Sequence, residues 1–164
     1  PPGPYERAAM VAHYLQQPKG RLFQYTCDAE LGDPRCGVDL SDPQFLGGGT
    51  IVAVTNLRTF TASGLDAFEN DWFTRGAITF TSGAASAQRV EIKRHQVSDA
   101  GLAELELWQP ARGPLLAGQT FTVTAGCDKH LSTCRDRFAN AINYRGFPHM
   151  PGNDFVTRIF RSGE

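Results

Sequence analysis

Hydrophobic and polar residues alternate along the central part of the chain. In residues 103–107 the small and branched apolar residues are separated by Glu104 and Glu106, and in residues 120–125 threonines alternate with apolar residues. A period of two turns one face of a strand towards a core and the other towards water. The pattern predicts β-strands at residues 50–57, 73–81, 88–96, 102–108 and 119–125.

Two other segments have the spacing of a helix. Apolar residues recur every three or four positions between Ala8 and Leu15, which predicts a helix that stops at Pro18. Near the other end, Ser132 is a candidate N-cap for a helix that continues to about Ile142. A further strand is expected at residues 21–26, where aromatic and β-branched residues are frequent.

Glycine and proline are more frequent in this chain than is usual in a helical protein. The 164 residues include 17 glycines and 10 prolines, which favours short strands joined by turns. We therefore expect a mainly β fold, with a small β-sandwich or barrel body inserted between the two halves of a four-cysteine metal module and two short helices. The expected parts are a linker and N-terminal helix (1–19), a β body (47–119) and a four-cysteine module (20–46 and 120–164).

The charge balance argues against two classes of partner. The formal net charge is -1 and the isoelectric point is about 6.5, whereas nucleic acids and anionic membranes attract clustered positive charge. The apolar runs are also too short to span a bilayer. Because the chain begins with Pro1 rather than methionine, we expect it to be a piece of a longer protein.

The four cysteines carry the main chemical signal. Eight residues separate Cys27 from Cys36 and six separate Cys127 from Cys134, so the two pairs flank the β body. Three interpretations remain open from the spacing: two disulfides, a tetrahedral zinc site, or thiolate ligation of an iron-sulfur cluster. Both intervening loops are wider than the usual zinc knuckle, and neither matches the compact ferredoxin pattern.

An enzymatic role is the alternative to a structural one. A cysteine and a histidine can form a nucleophilic pair, and peptidoglycan hydrolases are one candidate class. The histidines, however, are scattered over the predicted helix, strands and loops, and no pair of them indicates a catalytic dyad; they are His13, His95, His130 and His149. We therefore expect a protein that is not an enzyme.

Four stretches of sequence resemble one protein family. They are residues 20–24 (GRLFQ), 27–40 (CDAELGDPRCGVDL), 125–138 (AGCDKHLSTCRDRF) and 143–152 (NYRGFPHMPG). Together they resemble the C-terminal part of tail-tip hub proteins of phages and gene transfer agents, with the minor tail protein L of lambda-like phages as a more distant relative. The resemblance implies a structural protein of the distal tail. It also implies that Cys27, Cys36, Cys127 and Cys134 hold a [4Fe-4S] cluster, with zinc as the alternative metal.

The resemblance implies further properties of the whole protein. Its expected place is the tail tip of the virion, after assembly in the bacterial cytoplasm, and its expected partners are the distal tail protein and a central fibre-like hub protein. Family hubs form a homo-oligomeric ring, expected here to be a trimer, through an N-terminal domain that this chain is expected to lack. We also predict that Phe147 and Pro148 cover the metal site and exclude water from it.

Overall fold

Six antiparallel strands form the centre of the molecule and close into a barrel. The computed structural model describes Gly3, residues 23–98 and residues 100–150. The strands pair in the order β1-β2-β5-β4-β3-β6, and β6 returns to β1. Their bounds are β1 Leu46–Val54, β2 Thr59–Ser63, β3 Ala77–Phe80, β4 Arg89–Val97, β5 Ala103–Leu107 and β6 Thr120–Thr124.

The predicted mainly β fold is confirmed, and of the two proposed forms the barrel is the correct one. Five of the strands overlap the predicted segments, but β2 was missed. Its burial alternates, with Phe60 and Ala62 buried between less buried neighbours. Strand β6 completes the barrel, so the barrel runs from Leu46 to Thr124 and the expected boundary at residue 119 is corrected.

Strand β1 begins before the position predicted from the sequence because three consecutive glycines belong to it. A Cβ atom on Gly47 would lie 2.9 Å from the side chains of Leu65 and Phe73, and one on Gly49 would lie 2.6 Å from the carbonyl oxygen of Ser63. The glycines therefore let β1 pass close to its neighbours, where a side chain would collide. The sequence pattern alone marked them as a break.

Buried phenylalanines fill the barrel. Phe60, Phe80 and Phe121 are almost completely buried, and the rings of Phe60 and Phe121 meet edge to face with centroids 5.8 Å apart. His95 on β4 is also fully buried in this core, and neither of its ring nitrogens has a hydrogen-bond partner. Its ring meets Phe73 edge to face at 5.0 Å. The barrel is thus a continuous apolar core with one buried imidazole.

Residues 23–45 and 125–150 form a second part at one end of the barrel, here called the four-cysteine module. Its regular structure within the described residues is a six-residue helix, α1 (Leu131–Asp136), and a 3₁₀ turn at Ala141–Asn143. A second small core of buried residues lies here, comprising Ala29, Cys36, Val38, Ala125 and Phe138. The module therefore has its own apolar centre.

Three local predictions change in this module. Helix α1 ends at Asp136 rather than near Ile142, because Ala139 adopts a left-handed φ of 48° and the chain turns away. Ile142 is 94% exposed and does not face inward. Residues 23–26 form no strand, and the predicted helix at residues 8–15 lies outside the described residues.

Over the described ranges, no helix combines the length and hydrophobicity needed to cross a membrane.

Candidate four-cysteine site

The four cysteines line one small cavity in the four-cysteine module. Cys27 and Cys36 reach it from the N-terminal segment, and Cys127 and Cys134 reach it from the segment after the barrel. All four are free thiols, so the structure does not contain the disulfides that the sequence left open. Folding thus brings together two sulfur-bearing segments that are separated by the whole barrel.

An aspartate shapes the loop between the first two cysteines. The Asp33 carboxylate accepts hydrogen bonds from the main-chain N–H groups of Arg35 (2.9 Å) and Cys36 (2.6 Å), and from that of Glu30 (3.1 Å). Its pKa is lowered chiefly by the Cys36 N–H, and also by Glu30 and Arg35. The ionised carboxylate therefore closes a tight turn that fixes the direction in which Cys36 enters the site.

A second aspartate has the same role in the loop between the other two cysteines. Asp128 accepts a hydrogen bond from the His130 N–H at 3.0 Å and another from the Thr133 hydroxyl at 2.9 Å. These bonds join the residue after Cys127 to the first turn of helix α1, on which Cys134 is buried. The loop and the helix therefore present their thiols as one unit.

Hydrogen bonds join the two halves of the module directly. The Cys27 N–H donates to the Lys129 carbonyl oxygen at 2.9 Å, and the Lys129 ammonium donates to the Ala29 carbonyl oxygen at 2.5 Å and pairs with the Glu30 carboxylate at 3.2 Å. The Tyr144 hydroxyl donates to the Tyr25 carbonyl oxygen at 2.7 Å. Each half therefore stabilises the position of the other.

Two nitrogen donors point at sulfur atoms. The Lys129 N–H lies 3.3 Å from the Cys127 Sγ, and the Asn140 side-chain amide lies 3.7 Å from the Cys36 Sγ. Donors of this kind favour the thiolate form, which is the form that binds metals. The site thus contains both the sulfur ligands and groups that stabilise their negative charge.

Burial opposes ionisation of the thiols in the metal-free protein. It raises the pKa of Cys134 to about 11, and the neighbouring thiols add to the effect. Burial also raises the pKa of Cys127, although the Lys129 N–H and ammonium oppose it in part. The Cys134 thiol is consequently protonated at neutral pH, and a bound metal must displace its proton.

A single metal ion needs several ligand side chains that converge on one point. Within residues 23–98 and 100–150, no three side chains of the histidine, cysteine, aspartate or glutamate type converge closely enough to hold a single metal ion. The cavity between the four thiols measures about 10 Å³, which is room for about one water molecule. The thiols therefore share an apolar space but do not form a preorganised tetrahedral site.

The predicted cover residues lie elsewhere. The Phe147 ring packs against Phe23 with centroids 4.7 Å apart, and together with Pro148 these residues line a neighbouring apolar groove. Tyr144 and Asn143 line the cysteine cavity instead. The prediction that Phe147 and Pro148 cover the site is therefore corrected, because the chain turns at Gly146 and carries them past it.

Sequence reasoning overlooked Asn140 and Tyr144 at this site. A detectable signal existed for the second loop, since Asp128 directly follows Cys127. No comparable signal marked Asn140 or Tyr144, whose partners lie more than a hundred residues away along the chain. Of the histidines within the described ranges, only His130 lines the cavity, while His13 lies outside those ranges.

A cation joins the module to the barrel. The Arg137 guanidinium stacks over the Trp72 ring at 4.8 Å and donates to the carbonyl oxygens of Asp71, Trp72 and Gly126, each at 3.4 Å. Trp72 packs against both apolar cores, and its indole N–H donates to the Gln44 carbonyl oxygen at 3.2 Å. These contacts, here called the seam, therefore connect the module to the barrel.

Comparison with known proteins places the chain in a family. The family model described as "Phage conserved hypothetical protein BR0599" matches residues 71–154, about half of the chain. The chain belongs to this phage protein family. A second model, described as "Baseplate hub protein, N-terminal attachment domain", matches residues 7–39. The two matches are separated by residues 40–70, and together they include all four cysteines.

A solved structure extends the likeness over most of this member of the phage family. A chain from the structure described as "Virion of native gene transfer agent (GTA) particle" is 33% identical and superposes with a TM-score of 0.76. The alignment covers 89% of this chain and 50% of that chain, so this chain spans about half the length of the protein it matches. No protein with curated annotation matches. The resemblance to phage and gene transfer agent hub proteins is confirmed.

Proposed function

We propose that this chain is a structural component of the tail-tip hub of a phage-like virion or gene transfer agent, and that its four cysteines hold a [4Fe-4S] cluster. The family, the match to a baseplate hub attachment domain and the likeness to a chain of a gene transfer agent virion support the first part. The proposed partners are other tail proteins around a homo-oligomeric ring.

The observation that carries the second part is the shared cavity. Four free thiols, and no other sulfur ligands, line one apolar space that is closed by residues of both chain segments. A cubane cluster needs one thiolate for each of its four irons, approaching from different directions. Loops of eight and six residues and a short helix supply such directions.

The chain's own residues would perform most of the work of holding the cluster. Lys129 and Asn140 donate N–H groups to sulfur, and Tyr144 helps to enclose the space. When bound, the cluster would supply a covalent cross-link between the two segments and a site for one-electron chemistry. Cys27, Cys36, Cys127 and Cys134 would hold the cluster, and because the cavity between them has room for about one water molecule, the loops would have to be further apart than they are here.

The two parts of the proposal need separate tests. For the cluster, protein purified without oxygen should be brown and contain about four iron and four sulfide per chain. Cys134→Ser should reduce both, whereas Ser132→Ala on the exposed side of the same helix should not. One zinc per chain without sulfide would identify the alternative metal and would contradict the cluster.

For the location, an antibody against the barrel should label one end of the tail in electron micrographs of intact particles. Label distributed along the tail tube or on the head would contradict a place in the hub. A metal-free chain that still labels the tail end would retain the first part of the proposal while removing the second.

A further inference from the structure

Asn140 forms hydrogen bonds with two of the four cysteines. Its main-chain N–H donates to the Cys134 carbonyl oxygen at 2.9 Å, and its own carbonyl oxygen accepts the Cys134 thiol hydrogen at 3.3 Å. Its side-chain amide donates to the Cys36 carbonyl oxygen at 2.6 Å and points at the Cys36 Sγ at 3.7 Å. One residue thus touches two cysteines that belong to opposite segments of the chain.

The orientation of the Asn140 amide follows from its neighbours. The Asn143 side-chain N–H donates to the Asn140 Oδ1 at 2.7 Å, which requires an oxygen on that side. The Cys36 carbonyl oxygen requires a donor on the other side, so a reversed amide would face that carbonyl with a second oxygen and would face the Asn143 N–H with a second donor. The donor therefore faces Cys36 in the arrangement that satisfies every partner.

The backbone at Gly37 makes room for this arrangement. Gly37 has a left-handed φ of 73°, and a Cβ atom there would lie 3.3 Å from the Asn143 side-chain nitrogen. The turn after Cys36 can thus approach the asparagine pair closely, and both asparagine side chains are partly buried. Hydrogen bonds therefore link Cys36, Asn140 and Asn143 in one unit.

We infer that Asn140 is a positioning residue of the four-cysteine site, which joins the Cys36 loop to the Cys134 helix and supplies an N–H donor to the Cys36 sulfur. The inference rests on the proposed function, because the donor acts on a thiolate that the cluster creates. A neutral donor at a ligand sulfur stabilises the more negative, reduced cluster and so raises its reduction potential. A residue that only held the loop in place would leave the potential unchanged.

Two variants separate these roles. Asn140→Asp keeps the shape of the side chain and the acceptor for Asn143, but it removes the donor. Asn140→Ala removes the donor without adding a negative charge. Asn56→Asp is the matched control, because Asn56 lies in the exposed turn between β1 and β2 and its Oδ1 accepts main-chain N–H groups that an aspartate would also bind.

The experiment measures the reduction potential and the rate at which a chelator removes iron from the anaerobically purified full chain. Both Asn140 variants should have a more negative potential and lose iron about tenfold faster than the wild-type protein. Asn56→Asp should match the wild-type protein in both measurements. If Asn140→Ala fails to fold, the uncharged Asn140→Leu, whose side chain has nearly the same shape but no donor, gives the result.

Two outcomes would overturn the inference and can be told apart. If the wild-type chain assembles no cluster, the proposed function fails and the inference fails with it. If the wild-type chain assembles a cluster but its potential is the same in the Asn140 variants, the inference alone fails, even if iron is lost faster.

Discussion

The barrel and the four-cysteine module are stabilised in different ways, although they are joined in one molecule. In the barrel, main-chain hydrogen bonds close a ring of six strands around fully buried phenylalanines. In the module, aspartate, asparagine and tyrosine side chains bind the main chain, and the apolar core is small. The comparison teaches that the barrel is stabilised mainly by burial of apolar surface, whereas the module is stabilised mainly by specific polar contacts.

The largest expected effect comes from the barrel core. Leu105→Ala removes a side chain that is completely buried on β5, and we expect it to lower the free energy of unfolding by about 2–5 kcal/mol. Leu116→Ala removes the same atoms from a side chain that is 60% exposed, so its effect should be below about 1 kcal/mol. Urea unfolding followed by circular dichroism measures both. Equal effects would contradict the assignment of the core to the barrel interior.

The glycine strand provides the next test. Gly49→Ala places a Cβ atom 2.6 Å from the Ser63 carbonyl oxygen and 2.8 Å from the Phe121 ring, so we expect a loss of about 1–3 kcal/mol. Gly48→Ala is the matched control, because the nearest atom would lie 3.8 Å away. The same urea measurement should separate these adjacent positions, and a comparable loss at Gly48 would contradict the close approach of β1 to β2.

The seam between the two regions should show a smaller effect. Arg137→Gln removes the cation stacked on Trp72 and its donors to main-chain oxygens, which should cost about 1–2 kcal/mol. Hydrogen exchange at the Gly126 N–H, which donates to the Trp72 carbonyl oxygen at 3.1 Å, should become faster.

Lys93→Gln is the control for the seam. Lys93 lies 5.7 Å from the Trp108 ring centre and pairs with Glu106 at 2.7 Å, but both partners are on the exposed face of the barrel. We expect a change below about 1 kcal/mol and no change in exchange at Gly126. If both variants accelerate exchange at Gly126, the seam does not couple the two regions.

The smallest effect is a dependence on pH. Burial lowers the pKa of His95, and the nearby Asp71 charge opposes this only in part. As the pH falls below about 6.5, the unfolded chain binds a proton that the folded chain does not, so stability decreases by up to about 1.4 kcal/mol per pH unit until the folded pKa is reached. His95→Leu should therefore reduce the loss of stability between pH 7 and pH 5.

Urea unfolding at several pH values measures this difference. The other titrating groups are common to both proteins, so subtracting the two profiles isolates His95. Identical profiles would show that the imidazole gains a proton in the folded state without penalty, which would contradict its burial without a partner.

The sequence predicted the barrel well where alternation was regular. Strands β5 and β6 were located to within about two residues because their polar residues face water and their apolar residues face the core. The sequence placed the start of β1 too late, because the three glycines that the neighbouring side chains require resemble a turn. It failed at β2 because five residues of small and polar character give a weak pattern.

The four cysteines of the site could be predicted from the sequence, but the residues that surround them could not. Cysteine spacing singled out the four thiols, whereas Asn140 and Tyr144 act through partners at the far end of the chain. Phe147 and Pro148 were assigned by proximity in sequence to Cys134, but a single turn at Gly146, where a Cβ atom would lie 2.6 Å from the Tyr25 carbonyl oxygen, redirects them. Local pattern cannot supply such long-range pairings.

The bond from the Phe147 N–H to the Gln24 carbonyl oxygen, 2.9 Å long, has a consequence for the architecture of the molecule. It places the beginning and the end of the described module next to each other. The two connections to the barrel are also joined, because the Ala125 N–H donates to the Phe45 carbonyl oxygen at 2.7 Å, so the barrel is inserted into the module between two adjacent chain segments.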